Sequence, residues 1–311
     1  MLKRLPLFLA SMLLSAATPA SAATLGVAMA QMDDTFRSLI AAGIRDHAGK
    51  LEGVTLRVED AKGDVDRQIQ TMKDLVAAKV DAIVVNPVDG DTGPILSKIA
   101  ADAGIPLVYV NSEPVNVDEL PTTQSFVASD ENDSGTLETQ EVCRRLGGKG
   151  DVVVMVGETL HYAARRRTDK VREVLAGPDC KDIRIVEMQS AVWSKPFGEK
   201  LMREWLAAGV KFDGVIANND DMALGAIQAM NASGLPMNKI VVGGIDATAP
   251  ALAAMAAGDL DVTVFQNAKA QGAKAVDAAL ALARGESVPR VNYVPFELVT
   301  STNMAEYLGR N

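Results

Sequence analysis

The chain has 311 residues and a formal net charge of −9, with 31 lysine and arginine residues against 40 aspartate and glutamate residues. A surface this acidic repels nucleic acid and anionic lipid, so neither is an expected partner. The two cysteines and two histidines show no metal-ligand spacing, and no phosphate-binding loop is present, so we expect neither a metal nor a cofactor.

The N-terminal segment has the pattern of a secretory signal. Lys3 and Arg4 precede an apolar stretch at 5–17 that is too short to span a bilayer, and residues 20–22 are small, as a signal peptidase requires. A membrane anchor is the alternative, but no stop-transfer segment or lipidation cysteine follows. We therefore expect a periplasmic protein cleaved after Ala22. The mature chain falls in the range of about 250–300 residues where single cores tend to split, which predicts two domains.

Beyond residue 22, short β-branched runs alternate with longer amphipathic stretches, such as the one that places Phe36, Ile40 and Ile44 on one helical face. This alternation predicts an α/β fold of parallel sheets with helices on both faces. In chain order, the pattern predicts strand 25–30, helix 35–48, strand 54–59, helix 66–78, strands 82–86 and 107–110, helix 136–146, strand 152–156, helix 168–175, strands 183–188 and 214–217, helix 222–233, strands 240–243 and 262–265, and helix 268–283.

The order of these elements indicates how the chain is divided. A polar stretch at 112–124 interrupts the alternation, which then restarts, and no Gly-Ser linker separates the halves. We therefore expect two similar domains joined by several crossings, with the last helix and strand returning to complete earlier sheets. Because ligands of parallel sheets bind beyond the carboxyl ends of the strands, candidate contacts should lie just after strands.

Polar and aromatic residues do cluster at the predicted strand ends. Each has a local explanation: a helix cap at Asp33 or Asp34, a turn at 111–114, a solvated face for Arg165–Arg167, or a packing role for Trp193. Their common position favours a binding cleft instead. Asp, Asn, Gln and Arg satisfy vicinal hydroxyls, and an indole is a platform for the C–H face of a sugar. The two cysteines, Cys143 and Cys180, can form a disulfide or stay free.

Four segments carry a resemblance to a known family. They are AARRRT at 163–168, ANNDDMALGAI at 217–227, VVGGIDAT at 241–248 and TVFQ at 263–266. With them, nearly the whole chain after the signal resembles the ribose/galactose-type periplasmic sugar-binding proteins of ABC importers, and it looks most similar to the inositol- and rhizopine-binding members. The resemblance implies two Rossmann-like lobes, the periplasmic binding protein type I fold, with a three-strand hinge. The lobes would comprise 23–129 plus 267–296 and 130–266 plus 297–311.

The resemblance also implies a ligand site between the lobes, with no catalytic residue. Ser112 and His161 are further candidates for ligand contact. The expected contacts are Asp33, Phe36, Asn111, Arg165, Trp193, Asn219, Asp246 and Gln266.

Departures from the ribose-binding pattern bear on the ligand. Asn111-Ser112 stands where ribose binders carry Asp-Arg, Asp33 stands where they have Asn, and Trp193 where they have Phe. The exchanges make the site more anionic, which argues against ribose. The segments AVWS at 191–194, MREW at 202–205 and GIDATAP at 244–250 resemble members that bind inositol or related cyclitols. This resemblance implies a cyclitol such as myo-inositol, or an amino-cyclitol whose ammonium would pair with Asp33 or Asp246. An aldose, pentose or hexose, is the alternative ligand.

The resemblance implies a monomer that closes its lobes around a small polyhydroxylated ligand and delivers it to the membrane permease of an ABC importer. A chemoreceptor could bind the same closed form. A lac-type repressor has the same core, but it would need an N-terminal helix-turn-helix and a basic face. A secreted sugar-modifying enzyme would use Asp33 and Asp246 with His161 as a base, yet no catalytic motif supports it.

Overall fold

The computed structural model describes residues 22–311. The predicted signal peptide lies outside the described residues, apart from its last residue. Within residues 22–311, no helix is long and apolar enough to cross a membrane.

Two six-stranded sheets form the framework. The first has the spatial order β11-β5-β4-β3-β1-β2 and the second β12-β10-β9-β8-β6-β7. All pairings are parallel except that of β12 with β10. The strands are β1 (Ala23–Met29), β2 (Val54–Asp60), β3 (Ala82–Val85), β4 (Leu107–Val110), β5 (Gln124–Ala128), β6 (Lys149–Val156), β7 (Asp182–Ser190), β8 (Gly214–Ala217), β9 (Val241–Gly243), β10 (Val262–Phe265), β11 (Val291–Tyr293) and β12 (Glu297–Thr300).

Burial explains why these segments form strands. The inner strands β3, β4 and β10 are buried at every position, as expected for parallel strands covered by helices on both faces. The edge strand β2 instead alternates half-buried and exposed side chains. The short strands β5, β11 and β12 are additional to the predicted ones.

Nine α-helices of the described chain cover the two sheets. The predicted bounds of the first and last of them agree with the structure. Two others begin earlier than predicted, because Asp130 caps one at Asn132 and His161 caps the other at Ala163. The helices are α1 (Thr35–Ala48), α2 (Val65–Ala77), α3 (Gly93–Asp102), α4 (Glu131–Leu146), α5 (Tyr162–Leu175), α6 (Lys195–Ala207), α7 (Asp220–Ala232), α8 (Ala249–Ala257) and α9 (Ala268–Ala283).

The chain passes between the sheets three times. It leaves β5 to enter α4, which packs on the second sheet, and it leaves β10 to enter α9, which packs on the first. The third crossing joins β11 to β12. We call the first sheet with α1–α3 and α9 the N-lobe, and the second sheet with α4–α8 the C-lobe. The boundary residues expected from the resemblance stay a prediction.

A disulfide joins Cys143 in α4 to Cys180, which lies between α5 and β7, with an S–S distance of 2.05 Å. Both cysteines are buried in an apolar cluster of the C-lobe that also contains Val171 and Leu175 of α5. The bond ties α4 and α5 to the edge of the second sheet.

Candidate functional site

A cleft between the lobes is lined almost entirely by residues that follow strand ends. Its free space, including the part that opens to solvent, is about 430 Å³. The N-lobe and the C-lobe both contribute, and most of the polar groups come from the C-lobe. The lining residues are Asp34, Phe36, Arg37, Asn111, Glu131, His161, Ala163, Arg167, Trp193, Asn219, Asp246 and Gln266.

The lobes touch each other beside this cleft. The hydroxyl of Thr35, the first residue of α1, donates to the Asp221 carboxylate of α7 at 2.7 Å. On another side, Ser112 Oγ lies 3.4 Å from His161 Nε2. The two lobes are therefore in a closed arrangement.

Six of the eight residues expected to contact a ligand line the cleft, and so does the further candidate His161. Asp33 and Arg165 do not: Asp33 is exposed, and the exposed Arg165 donates to the carbonyl of Leu160 at 2.6 Å. Ser112 is buried behind the lining, where its hydroxyl accepts from Asn86 Nδ2 at 3.0 Å.

Residues one and two positions further along the chain from Asp33 and Arg165 line the cleft instead. Asp34 lines the cleft while its Oδ1 accepts from the backbone N–H of Arg37 at 2.8 Å and caps α1. Arg167 lines the cleft in place of Arg165, because residues two apart on a helix point to nearly opposite sides.

Arg167 forms a buried ion pair that the sequence reasoning missed. Its Nε and Nη2 donate to the two carboxylate oxygens of Glu131 at 2.7 and 2.9 Å, and its Nη1 donates to the carbonyl of Asn218 at 2.6 Å. Arg167 is 4 % exposed and Glu131 is 6 % exposed. Bidentate geometry is what makes such a buried pair tolerable. Since Glu131 neutralises it, Arg167 contributes little net positive charge to the cleft.

The indole of Trp193 forms one wall of the cleft. The Trp193 backbone has φ 64°, a left-handed conformation that is costly for a bulky residue, and its carbonyl accepts from Asn219 Nδ2 at 3.1 Å. The His161 ring meets the indole edge-on, with centroids 5.5 Å apart. Behind the indole, a Cβ on Gly157 would lie 2.3 Å from the ring, so only glycine leaves room for it.

Asp246 presents a buried carboxyl group to the cleft. It is 4 % exposed, and its carboxyl oxygens form no hydrogen bond or ion pair with the described residues. Burial raises its pKa well above the ordinary value, although the Arg167 charge opposes that shift. Its backbone φ is 123°, so the chain is strained at this point as well. A carboxyl group held in this way is available to a ligand.

Two buried donors in the lining also lack a protein partner. They are Nε1 of Trp193 and Nε2 of Gln266, both within the described part of the chain. Buried donors are normally satisfied, so each marks a place for an acceptor. Together with Asp246 they give the cleft donors and an acceptor, the combination that binds hydroxyl groups.

His161 is neutral in this setting. Burial, followed by the charges of Arg37 and Arg167, lowers its pKa to about 3. Its Nδ1 accepts from the backbone N–H of Ala163 at 3.2 Å, which leaves the proton on Nε2. Residues 22–311 contain no group of histidine, cysteine and acidic side chains that could hold a metal ion.

Comparison with known sequences assigns the family. Residues 25–287 match the family described as "Periplasmic binding protein domain". The chain belongs to the periplasmic binding protein family. This membership confirms the resemblance found in the sequence and the two-lobed type I fold, and it places the chain among solute-binding proteins of the periplasm.

The chain is also similar to individual periplasmic binding proteins. A protein of Rhizobium meliloti proposed to bind rhizopine is 56 % identical over 294 residues, which cover 94 % of this chain and 95 % of that protein. An ABC transporter solute-binding protein of Bacillus halodurans C-125, solved with myo-inositol, is 36 % identical with a TM-score of 0.87 and coverage of 94 % and 99 %. The Caulobacter myo-inositol-binding protein is 25 % identical with a TM-score of 0.83 and coverage of 92 % and 96 %.

Proposed function

We propose that this protein is the solute-binding component of an ABC importer and that its ligand is a cyclitol, either myo-inositol or an amino-cyclitol. The observation that carries the proposal is the buried Asp246 carboxyl group, which faces the cleft and has no partner among the described residues. A ligand hydroxyl or ammonium is the group that would satisfy it. The binding of myo-inositol by similar proteins supports the same class of ligand.

The residues of the lining suit a six-membered carbocycle. Phe36 of the N-lobe and Trp193 of the C-lobe both supply aromatic surface to the lining. A cyclitol such as myo-inositol has C–H groups on its ring faces for such contacts, and most of its hydroxyls are equatorial and point outward from the ring. Asn111, Asp246 and Gln266 can then meet the hydroxyl rim. A cyclitol also lacks the ring oxygen and anomeric carbon that an aldose presents.

The charge of the lining favours a ligand with an amino group. Arg167 is neutralised by Glu131, and the Asp246 carboxyl group has no ion-pair partner among the described residues. Burial raises the pKa of Asp246, and an ammonium beside it would favour its ionised form. An ammonium at Asp246 would form a charge-assisted hydrogen bond, roughly twice as strong as a neutral one. Rhizopine is an amino-cyclitol, so the 56 % identical protein proposed to bind rhizopine supports this preference.

Binding would act through closure of the lobes. A ligand that contacts both lobes interacts more strongly with the closed arrangement and shifts the population toward it. The closed form would then dock on the permease, and no step of this cycle changes the ligand chemically. The predicted export signal and the Cys143–Cys180 disulfide both suit an oxidising periplasm. A monomeric state and a chemoreceptor partner are part of the proposal.

Calorimetric titration with matched ligands tests the proposal. myo-Inositol, an inositol carrying one amino group, ribose and galactose would be titrated into the mature protein and into Asp246→Asn. We expect the cyclitols to bind and the aldoses to bind at least about tenfold more weakly, a difference of ~1.4 kcal/mol. Asp246→Asn should weaken the amino-cyclitol more than myo-inositol, because only the former loses a charge partner.

Asp33→Asn is the matched control, since it removes a carboxylate from an exposed position that does not line the cleft. It should bind every ligand like the parent. Tighter binding of an aldose than of either cyclitol would overturn the ligand class. Consumption of the ligand during the titration would overturn the role as a binding protein.

A further inference from the structure

The side chain of Asn311 bridges both lobes at the crossing from β10 to α9. Its Nδ2 donates to the carbonyls of Gln266 and Asp246 at 2.8 and 3.0 Å. Its Oδ1 accepts from the backbone N–H of Ala268, the first residue of α9, at 3.0 Å. Two of these bonds hold the backbone of C-lobe residues that line the cleft, and the third holds the first residue of an N-lobe helix.

The segment that carries Asn311 is anchored on the C-lobe. The neighbouring Arg310 forms an ion pair with Glu297 at 3.0 Å, and its guanidinium lies 4.4 Å from the ring centroid of Phe265 and 4.8 Å from that of Tyr307. Asn311 therefore contacts the N-lobe from a segment that is held on the C-lobe by Arg310. Lys269 of α9 adds a second link by donating to the carbonyl of Gly309 at 2.8 Å.

On the other side of the crossing, α9 is held firmly against α1. A Cβ on Gly43 would lie 2.8 Å from the Cα of Lys269, and a Cβ on Gly272 would lie 2.7 Å from the backbone nitrogen of Ile44. Helices this close cannot slide past each other without a clash. Relative motion of the lobes at this crossing must therefore be taken up by the backbone between β10 and α9, the segment that Asn311 bridges.

We infer that Asn311 is a positioning residue that clasps this hinge crossing in the closed arrangement. The bond to Ala268 depends on the orientation of α9 relative to β10, so opening of the lobes breaks or bends it. The bonds to Asp246 and Gln266 hold the backbone of two cleft residues, one of which has a strained φ of 123°. Asn311 thus raises ligand affinity without touching the ligand, an inference that rests on the proposed ligand site.

The test compares Asn311→Ala with Asn303→Ala. Asn303 also bridges backbone groups with its amide, accepting from Thr300 N at 2.8 Å and donating to the Leu298 carbonyl at 3.0 Å, but both partners lie in the C-lobe. Both variants lose backbone bridges in the same part of the chain. Only Asn311→Ala should weaken myo-inositol binding, by about tenfold, since each neutral hydrogen bond is worth a few-fold to about tenfold in an equilibrium constant. The loss should appear as faster dissociation.

Two ligand-free measurements keep this test separate from the identity of the ligand. Small-angle scattering should give a larger radius of gyration for Asn311→Ala than for the parent, and hydrogen exchange at the Ala268 amide should speed up. Asn303→Ala should match the parent in both. Parent-like scattering and exchange for Asn311→Ala, or equal changes in both variants, would overturn the proposed role of Asn311. Failure of the parent to bind any cyclitol would overturn the proposed ligand while leaving these two measurements decisive for Asn311.

Discussion

Gly157→Ala places one methyl group behind the indole of Trp193. A Cβ at this position would lie 2.3 Å from Cε2 and Cζ2 of the ring and 2.5 Å from Cη2. Because carbon atoms pack at about 3.5–4.0 Å, the ring has to move by at least about 1 Å. Its backbone cannot follow easily, since the Trp193 carbonyl accepts a hydrogen bond from Asn219 and φ is already in the left-handed region. The ring should therefore turn into the cleft.

The magnitude follows from overpacking and from the loss of the aromatic wall. Extra methyl groups in tight packing cost about 1–3 kcal/mol of stability. An indole displaced into the cleft should cost a ligand a further factor of about 10–100 in affinity, or ~1.4–2.8 kcal/mol. The affinity should therefore fall steeply in a protein that is still folded.

Calorimetry with the best cyclitol measures the affinity, and fluorescence follows the ring. The chain has two tryptophans, so the buried Trp205 would be replaced by phenylalanine to leave Trp193 as the single emitter. A double-mutant cycle with Trp193→Leu provides the control, because Gly157→Ala should cost little once the indole is gone. Parent-like affinity and unchanged Trp193 emission in Gly157→Ala would refute the reasoning.

Three further predictions concern stability. Arg167→Met should lower the free energy of unfolding by about 3–5 kcal/mol, because its partner Glu131 is left buried and unpaired. Arg165→Met, at an exposed position, should change it by less than about 0.5 kcal/mol, and urea unfolding measures both variants. Reduction of the Cys143–Cys180 disulfide, which spans 37 residues, should cost about 4 kcal/mol of unfolding free energy, measured with and without reductant. Burial and nearby arginines lower the pKa of His161 to about 3, so below pH 6.5 the unfolded chain takes up a proton that the folded protein excludes. The parent should therefore lose stability relative to His161→Gln as the pH falls from 6.5 toward 3. Urea unfolding midpoints of both proteins, measured between about pH 4 and about pH 8, should differ by a constant amount above pH 6.5 and diverge below it.

Hydrophobic patterning predicted most of the buried strands, although the inner strand β5 was missed even though it is buried throughout. The strands β3, β4, β8, β9 and β10 and the helices α1 and α9 are strongly apolar in sequence, and their predicted positions agree with the structure to within one residue. The strands β11 and β12 have three and four residues, with polar and exposed side chains among them. They are strands because they pair with β5 and β10, a contact that local patterning does not report.

The location of the cleft was also accessible from the sequence, since strand carboxyl ends collect the polar residues of a parallel sheet. Which of two adjacent side chains faces the ligand was harder to predict. Asp33 and Asp34 both follow β1 and either could cap α1. The structure gives both the cap and the place in the lining to Asp34, and leaves Asp33 in solvent.

Which of the three adjacent arginines faces the cleft depends on a second helix as well as on α5. Ala164, Val171 and Leu175 are buried on one face of α5, and Arg167 falls on that face three residues after the first of them. The helical period thus points to Arg167 as the buried arginine. That assignment is credible only if an acid is present to pair with it, because an unpaired buried guanidinium is prohibitively costly. The acid is Glu131, 36 residues earlier and on another helix, so it was the tertiary contact between α4 and α5 that decided which arginine enters the cleft.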